Sequence, residues 1–339
     1  MLRLAYGTVL KGMRMIRWTL LFFAAATVPT LGQTADLDIV RVGGGPTITA
    51  TVARVNGIFR KYGIEIQSST SSSSESFRAK LANGDVDIID NGLDNAVALR
   101  LSGVDVVIVT GSRLAEQELI AQPEIKSAND LRGKTVIVDA TNTQAALLLK
   151  KILSLSGLKP GVDYQLKPVG TRRLPEMRAH KEYAAAMLSG TTAIVAKREG
   201  FVSVGASWKL IGPLLYYGAF TRRQWARDHA DLLSRYIAAN IEAQHWILLP
   251  ANKAKVIEII MNSGDAKIPA DVAAEAYAGM VKGPGALTED LRFDVSAFKN
   301  FLKLRAEVED SWGGSPPSAD EFYDLSYYDK ARARMSKSQ

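Results

Sequence analysis

Between residues 37 and 110, two rhythms of apolar residues take turns. Residues 37–42 (LDIVRV) alternate apolar and polar side chains, the two-residue period of a strand. The run GGGPT (43–47) interrupts it, and Val52, Val55, Ile58 and Phe59 then fall at helical spacing. A single helix is therefore expected over 48–62, closed by Gly63. Residues 64–66 form a second short strand, which runs straight into QSSTSSSSESF (67–77). After that tract, 77–81 returns to helical register, 86–90 (VDIID) reads as a strand, 94–101 as a short helix and 104–110 (VDVVIVT) as a fourth strand. By composition a serine-rich tract is a flexible spacer. Here it lies between a strand and the next helix, where a linker would split the sheet between consecutive strands, so it is read as a strand-to-helix loop.

The pattern then repeats. Residues 135–139 (TVIVD) predict a strand, 140–144 (ATNTQ) a polar loop and 145–156 a helix broken by Gly157 and the Lys159-Pro160-Gly161 turn. Residues 164–169 (YQLKPV) read as a strand, 174–181 as a helix, 183–188 as a short apolar stretch and 192–196 as a further strand. Residues 208–215 (WKLIGPLL) lead out of this region. From Arg223 the chain is helical: Leu233, Ile237 and Ile241 share one face, and 253–261, 271–280 and 295–309 follow as amphipathic helices. Tyr216, Tyr217, Trp225 and Trp246 are read as core residues. Past Trp312 the chain is expected to run as extended surface with a frayed basic end.

Repeated strand–loop–helix units with short connections predict an α/β fold. Two such sets, followed by returning helices, imply two lobes and a cleft. Each lobe is expected to be a mixed, mostly parallel sheet flanked by helices. Lobe I is drawn as 33–115 with 213–339, and lobe II as 116–212, with crossings near 113–122 and 210–217.

Residues 1–32 stand apart. Arg3, Lys11, Arg14 and Arg17 precede an apolar run over 18–28, and Thr30-Leu31-Gly32 ends it with small residues, the plan of a secretory signal peptide. The run is short for a membrane span, and no other segment approaches 18 unbroken apolar residues. A retained anchor is the alternative, and Met13 and Met15 are alternative starts. Without this leader Lys+Arg falls from 42 to 38 against 35 acidic residues, so the formal charge drops from +7 to +3. The remaining chain has no concentrated basic stripe, which argues against a nucleic-acid partner. Cysteine is absent, which excludes disulfides, thiolate metal sites, cysteine nucleophiles and a lipid-attached cysteine. Leader and cysteine count together point to the periplasm.

The stretches FRKYGIEI, LANGDVDI, IAQPEIKSANDLRGKTVIV, LKPGVDYQLKPVG and ARDHADLLSRYI, in this order and spacing, resemble type II periplasmic solute-binding proteins of ABC importers. The likeness covers 37–260 and is greatest to the nitrate/sulfonate/taurine and thiamine-pyrimidine-precursor group. It implies a monomer with the type II periplasmic-binding-protein fold, closing by a hinge on a small-molecule solute and docking on an ABC permease at the inner membrane. No cofactor or metal is implied. The fold leaves the solute open, because the chemistry sits in the loops.

In an open α/β sheet, ligands collect where strands end and the topology switches direction. That rule selects five loops: 43–47, 69–76, 91–95, 140–144 and 170–173. The first four precede predicted helices, whose free N–H groups suit oxyanions and carbonyls. The candidate ligand-binding residues are therefore Gly45, Thr47, Ser72, Ser73, Ser74, Asn91, Asp94, Arg113, Thr141, Asn142, Thr143 and Arg172. Each Ser or Thr also reads as a plain helix cap. Arg113, Arg172 and Arg173 suit an anion, whereas Asp94 and Asp139 would repel one. Either these charges pair with each other or the solute carries a donor such as an amine or ring N–H; the candidate solutes are a sulfonate, a carboxylate, a nitrate-like anion or a pyrimidine-like ring. GGGPT lacks the spacing and the following Lys-[Ser/Thr] of a phosphate cradle.

His180, His229 and His245 have no metal-ligand spacing, and no nucleophile motif occurs. Pyrimidine-forming enzymes built on the same fold use cleft cysteines, which are absent here. A non-enzymatic receptor is the reading. A membrane-tethered sensor, or an enzyme on the same scaffold, are the alternatives.

Overall fold

The computed structural model describes residues 37–45, 47–263 and 267–336. The expected signal peptide at 1–32 lies outside them. The strands are β1 (Asp38–Gly43), β2 (Ile64–Ser69), β3 (Ile88–Gly92), β4 (Val106–Ile108), β5 (Arg113–Leu114) and β6 (Glu118–Ala121). They continue with β7 (Thr135–Val138), β8 (Gln165–Pro168), β9 (Tyr183–Leu188), β10 (Val202–Ala206) and β11 (Leu215–Arg222).

They form two mixed sheets. The first runs β2-β1-β3-β11-β4, with β5 paired to β11. The second runs β10-β6-β9-β7-β8. Parallel pairing is confined to β1 with β2 and β3, and to β7 with β8 and β9. Those are the strands linked by helical crossovers, which parallel pairing requires. Strand β11 comes back from the second sheet and inserts between β3 and β4, antiparallel to both. Strands β6 and β10 add antiparallel pairs in the second sheet.

The arrangement around β1 positions the site. From β1 the chain passes to β2 on one side, then crosses back to β3 on the other, so the connections diverge between β1 and β3. Register sets Val42 beside Ile88 and Gly43 beside Ile89. Gly44 and Asp90 therefore meet just beyond the pairing. A Cβ on Gly44 would lie 2.7 Å from the Asp90 carbonyl oxygen, and its φ of +117° is one that side chains rarely adopt.

Burial follows the periodicity. The helix Ala230–Leu248 presents Leu233, Ile237 and Ile241 to a core shared with Val40, Ile64, Ile88 and Val107. The helix Val295–Glu309 buries Phe298 and Phe301 beside Phe293, Phe298 lying 5.2 Å from Phe293 between ring centres. At about 1.5–3 kcal/mol per buried large side chain, these contacts hold the C-terminal helices onto both sheets.

Three expectations change. The helix drawn over 48–62 is two helices, Ile48–Val55 and Ile58–Lys61, because Gly57 turns left-handed at φ +68°. The strand drawn at 192–196 is part of the helix Gly190–Arg198, whose buried Ala193 and Ala196 lie three apart. Its β-branched residues Thr191, Ile194 and Val195 are half-buried and Thr192 is exposed, so helical packing overrides their strand preference. The true edge strand, β10, follows it. The tail after Trp312 ends in a helix, Ser326–Ser336, which buries Ala331 in the core of the long helix Ala230–Leu248.

Candidate solute-binding cleft

A cavity of about 260 Å³ opens where β1 and β3 diverge. Gly45 and Thr47 follow β1, and Asp90 and Asn91 lie in the second half of β3. Thr110, Ser112 and Arg113 come from the chain leaving the first sheet, and Tyr217 and Ala219 from β11. The second sheet contributes Ser189, Gly190 and Thr191, where β9 turns into the helix Gly190–Arg198. Tyr236, Ile237 and Asn240 of the long helix reach it from the first sheet's flank. A second cavity of about 190 Å³ shares Gly45, Thr47, Thr51, Asp90 and Tyr236 with the first and runs toward Ser68 and Thr70.

Return strand β11 builds one wall. Tyr217 pairs with Gly92 on β3 and with Arg113 on β5. Gly218 approaches the 110 turn so closely that a Cβ would sit 2.1 Å from the Thr110 carbonyl. The Ala219 N–H donates to Thr110 Oγ1 at 2.9 Å and Ser112 N to the Tyr217 carbonyl at 2.8 Å. The Arg113 guanidinium lies 4.5 Å from the Tyr217 ring centre and 5.9 Å from that of Tyr216. It also donates to Glu116 Oε1 at 2.9 Å. Burial, largest among its influences, leaves the Glu116 carboxyl above its ordinary value despite this pairing. Arg113 thus reaches the cavity with its charge matched.

Asp90 differs. Burial pushes its carboxyl up to about 6, offset by a hydrogen bond from the Thr47 hydroxyl. Thr47 meanwhile caps the helix Ile48–Val55, its Oγ1 accepting from Ala50 N at 3.1 Å. Nearby, the Tyr236 hydroxyl and Asn240 Oδ1 are sealed from solvent, with the Asn240 side chain against the Tyr236 hydroxyl. Asn240 Nδ2 is used within its own helix, donating to the Tyr236 carbonyl at 2.9 Å.

Of the residues selected from the loops, Gly45, Thr47, Asn91 and Arg113 line the cavity. The others gather on a separate seam between the two sheets. Ser72 accepts there through its carbonyl from Thr171 N at 3.3 Å. Ser73 caps the helix Ser74–Asn83, accepting from Ser76 N at 3.2 Å. Ser74 Oγ donates to Asp139 Oδ2 at 3.1 Å, and Thr143 Oγ1 donates to Asp139 Oδ1 at 2.7 Å. Arg173, rather than Arg172, approaches that carboxylate, at 3.6 Å. Arg172 and Thr141 are exposed. Asn142 accepts from Arg78 at 3.3 Å through Oδ1 and from Arg305 at 2.6 Å through its carbonyl. Asp94 accepts from Gln144 N at 3.1 Å. Burial first, then the Asp139 charge, pushes Asp94 up to about 6 against the Gln144 N–H, Arg305 and Arg78.

The seam thus engages Ser73, Ser74, Thr143 and Asp139 internally, but it also leaves the buried Gln144 side-chain amide without a partner. Asp90, Tyr217, Tyr236 and Asn240 were missed from the sequence. Asp90 did carry a signal: it ends the VDIID strand at a chosen loop. Tyr217 was read as core, and Tyr236 and Asn240 sit on a helix with no local mark of a site. None of the three histidines lines the cavity. Among the described residues no His/Cys/Asp/Glu group is arranged to hold a metal, and no helix is long and apolar enough to cross a membrane.

The model of the NMT1-like family matches residues 37–261. No curated protein matches the chain. Among solved structures, a periplasmic nitrate-binding protein, NrtA, from Synechocystis PCC 6803 aligns at TM-score 0.72 and 14% identity, covering 89% of this chain and 90% of its own. The alkanesulfonate-binding protein SsuA from Xanthomonas axonopodis pv. citri, bound to MOPS, aligns at 0.70 and 15%, covering 84% and 98%. A ligand-binding component of an ABC-type import system from Staphylococcus aureus aligns at 0.71 and 12%, covering 86% and 98%. At these identities the likeness establishes a shared two-lobed α/β periplasmic-binding-protein fold.

Proposed function

The chain belongs to the NMT1-like family, and from that premise we propose that it is the periplasmic substrate-binding component of an ABC-type importer, closing its lobes on a small organic solute. The observation that carries this reading is the cavity itself. Residues from both sheets line it at a topological switch point, and it offers hydrogen bonds without a nucleophile–base pair or a cavity histidine. Fold neighbours named as nitrate-binding, alkanesulfonate-binding and ABC-import proteins agree with it.

In this reading the lobes are 33–115 with 213–339, and 116–212. The hinge is the pair of crossings between β5 and β6 and between β10 and β11. One end of the solute meets Arg113, Ser112 and the uncapped N–H groups at Gly190 and Thr191. Tyr217 covers a face of it. The serine loop and the Asp139 seam act on closure, holding the two sheets together beside the solute rather than touching it. The leader directs the chain to the periplasm, where it works as a monomer that delivers its solute to an inner-membrane permease.

Thermal-shift screening tests this, because a solute that binds only the folded form raises Tm by about 2.7 kcal/mol of added stability at one hundred times its Kd. Sulfonates, carboxylates, nitrate, amines and pyrimidines form the panel. A saturable rise with at least one small solute is expected. Turnover of that solute, or stabilisation by a protein partner alone, would replace the receptor reading.

A further inference from the structure

Part of the cavity wall comes from chain that the NMT1-like model does not match, because the match stops at residue 261. Met280 lies near the end of the helix Ala270–Val281, and Leu287 and Leu291 belong to the segment 282–291 that follows it. Backbone hydrogen bonds tie this segment down. Leu287 N donates to the Met280 carbonyl at 2.9 Å, Thr288 N to the Ser112 carbonyl at 2.9 Å and Gly111 N to the Leu291 carbonyl at 3.0 Å. At Gly285 a Cβ would lie 2.6 Å from Glu116 Cγ, so the segment rests directly on the residue that pairs with Arg113.

Register aligns three side chains of different character. Arg113 is bridged antiparallel to Leu287 on one side and pairs with Tyr217 of β11 on the other. Residues directly opposite one another in antiparallel strands point to the same face, and all three line the cavity. The row reads aromatic ring, cation, aliphatic chain, with Met280 beside its aliphatic end. A solute in the cavity can reach these groups: Tyr217, Leu287 and Met280 are half-buried, and the Arg113 side chain is 19% exposed. Glu116 and Tyr217 engage part of the guanidinium, whose fork of N–H groups leaves room for a further oxygen acceptor. A nitrate-sized ion held there would leave most of about 260 Å³ to water along an apolar flank. We propose that residues 280–291 form the specificity wall of the cleft, and that the captured solute is an organic anion whose carboxylate or sulfonate sits at Arg113 and whose apolar body lies along Leu287 and Met280. This rests on the receptor reading and narrows it: the apolar body, more than the charged head, decides which solute is held.

Titration calorimetry on the purified protein tests this with solutes that share a head and differ in body. The series are acetate, butanoate and hexanoate, and methane-, butane- and hexanesulfonate, with nitrate as a bare anion. A fully buried methylene is worth about fourfold in affinity, so a partly buried chain should gain about tenfold or more from the shortest to the longest member of one series. Leu287→Asn and Met280→Gln keep the side-chain size and remove the apolar contact. Each is expected to cut that gain about threefold or more and to leave the short members where they were. Met280→Gln, at a half-buried helix end, keeps the inference open to refutation should Leu287→Asn not fold. Affinity that ignores chain length, tightest binding by nitrate or the shortest members, or a gain that both variants leave intact overturns the inference and leaves the receptor reading standing. Silence from both series at millimolar concentration also overturns it, and silence from the broader panel as well takes the receptor reading with it.

Discussion

Replacing Asp90 by Asn should make the solute-free protein more stable, and the gain should depend on pH in a defined direction. Burial raises the folded-state pKa of Asp90 from 3.8 to about 6. Between those values the folded state holds a proton that the unfolded chain has released, so stability falls as pH rises through the window. At about 1.4 kcal/mol per pH unit, keeping Asp90 ionised costs the folded protein about 3 kcal/mol at pH 8 and roughly half that at pH 5. Asparagine removes the charge and keeps the size. Water entering the cavity lowers the cost, so a gain of about 1–3 kcal/mol at pH 8 is expected. For a chain of this length that is a rise in Tm of a few degrees. The assay is differential scanning calorimetry on protein freed of solute by unfolding and refolding, run for both variants at pH 8 and pH 5. Asp94 titrates in the same range, but its contribution is common to both variants and cancels. No gain at pH 8, or an equal gain at both pH values, would refute the claim that burial disfavours the ionised Asp90 carboxylate in the folded protein. Stabilisation joined to lost affinity is the expected mark of a residue kept for binding.

Ser73→Ala should lower stability by about 1 kcal/mol through loss of the cap on Ser74–Asn83, with solute affinity unchanged in calorimetry. Arg305→Ala should cost about 2–3 kcal/mol in urea unfolding, since Arg305 is 2% exposed and its removal strands the Asn142 carbonyl and leaves Glu309 to Lys150 alone. Gly44→Ala should destabilise by more than 1 kcal/mol, because both its φ and the Asp90 carbonyl oppose a side chain, and it should also weaken solute binding.

Much of the fold could be read directly. The helices Asp94–Leu101 and Val295–Glu309 start and stop where the apolar spacing does, because caps and periodicity act within a few residues. The serine tract was correctly placed as a loop inside a sheet: Ser68 and Ser69 end β2, and Ser73 caps the following helix. Its excess hydroxyls were harder to interpret. Ser76 Oγ donates to Ser71 Oγ at 3.2 Å, Lys80 reaches Ser69 Oγ at 2.8 Å, and Ser74 binds Asp139. Counting hydroxyls cannot tell a loop that binds a solute from one that binds another loop.

Tertiary structure decided the site, and the reason is distance along the chain. Asp90 and Asp94 are four residues apart and both follow the same run of apolar residues. Asp90 is the middle residue of β3, whose register against β1 and β11 sets it at the cavity, while Asp94 begins a helix and is taken up by Gln144 N. That difference depends on β11, contributed by residues more than a hundred positions later. Tyr236 and Asn240 reach the cavity only because the long helix packs against the first sheet. Local patterning thus determined the elements and their class. Which of their polar ends would line the cavity was set by the return of one strand and the packing of one helix.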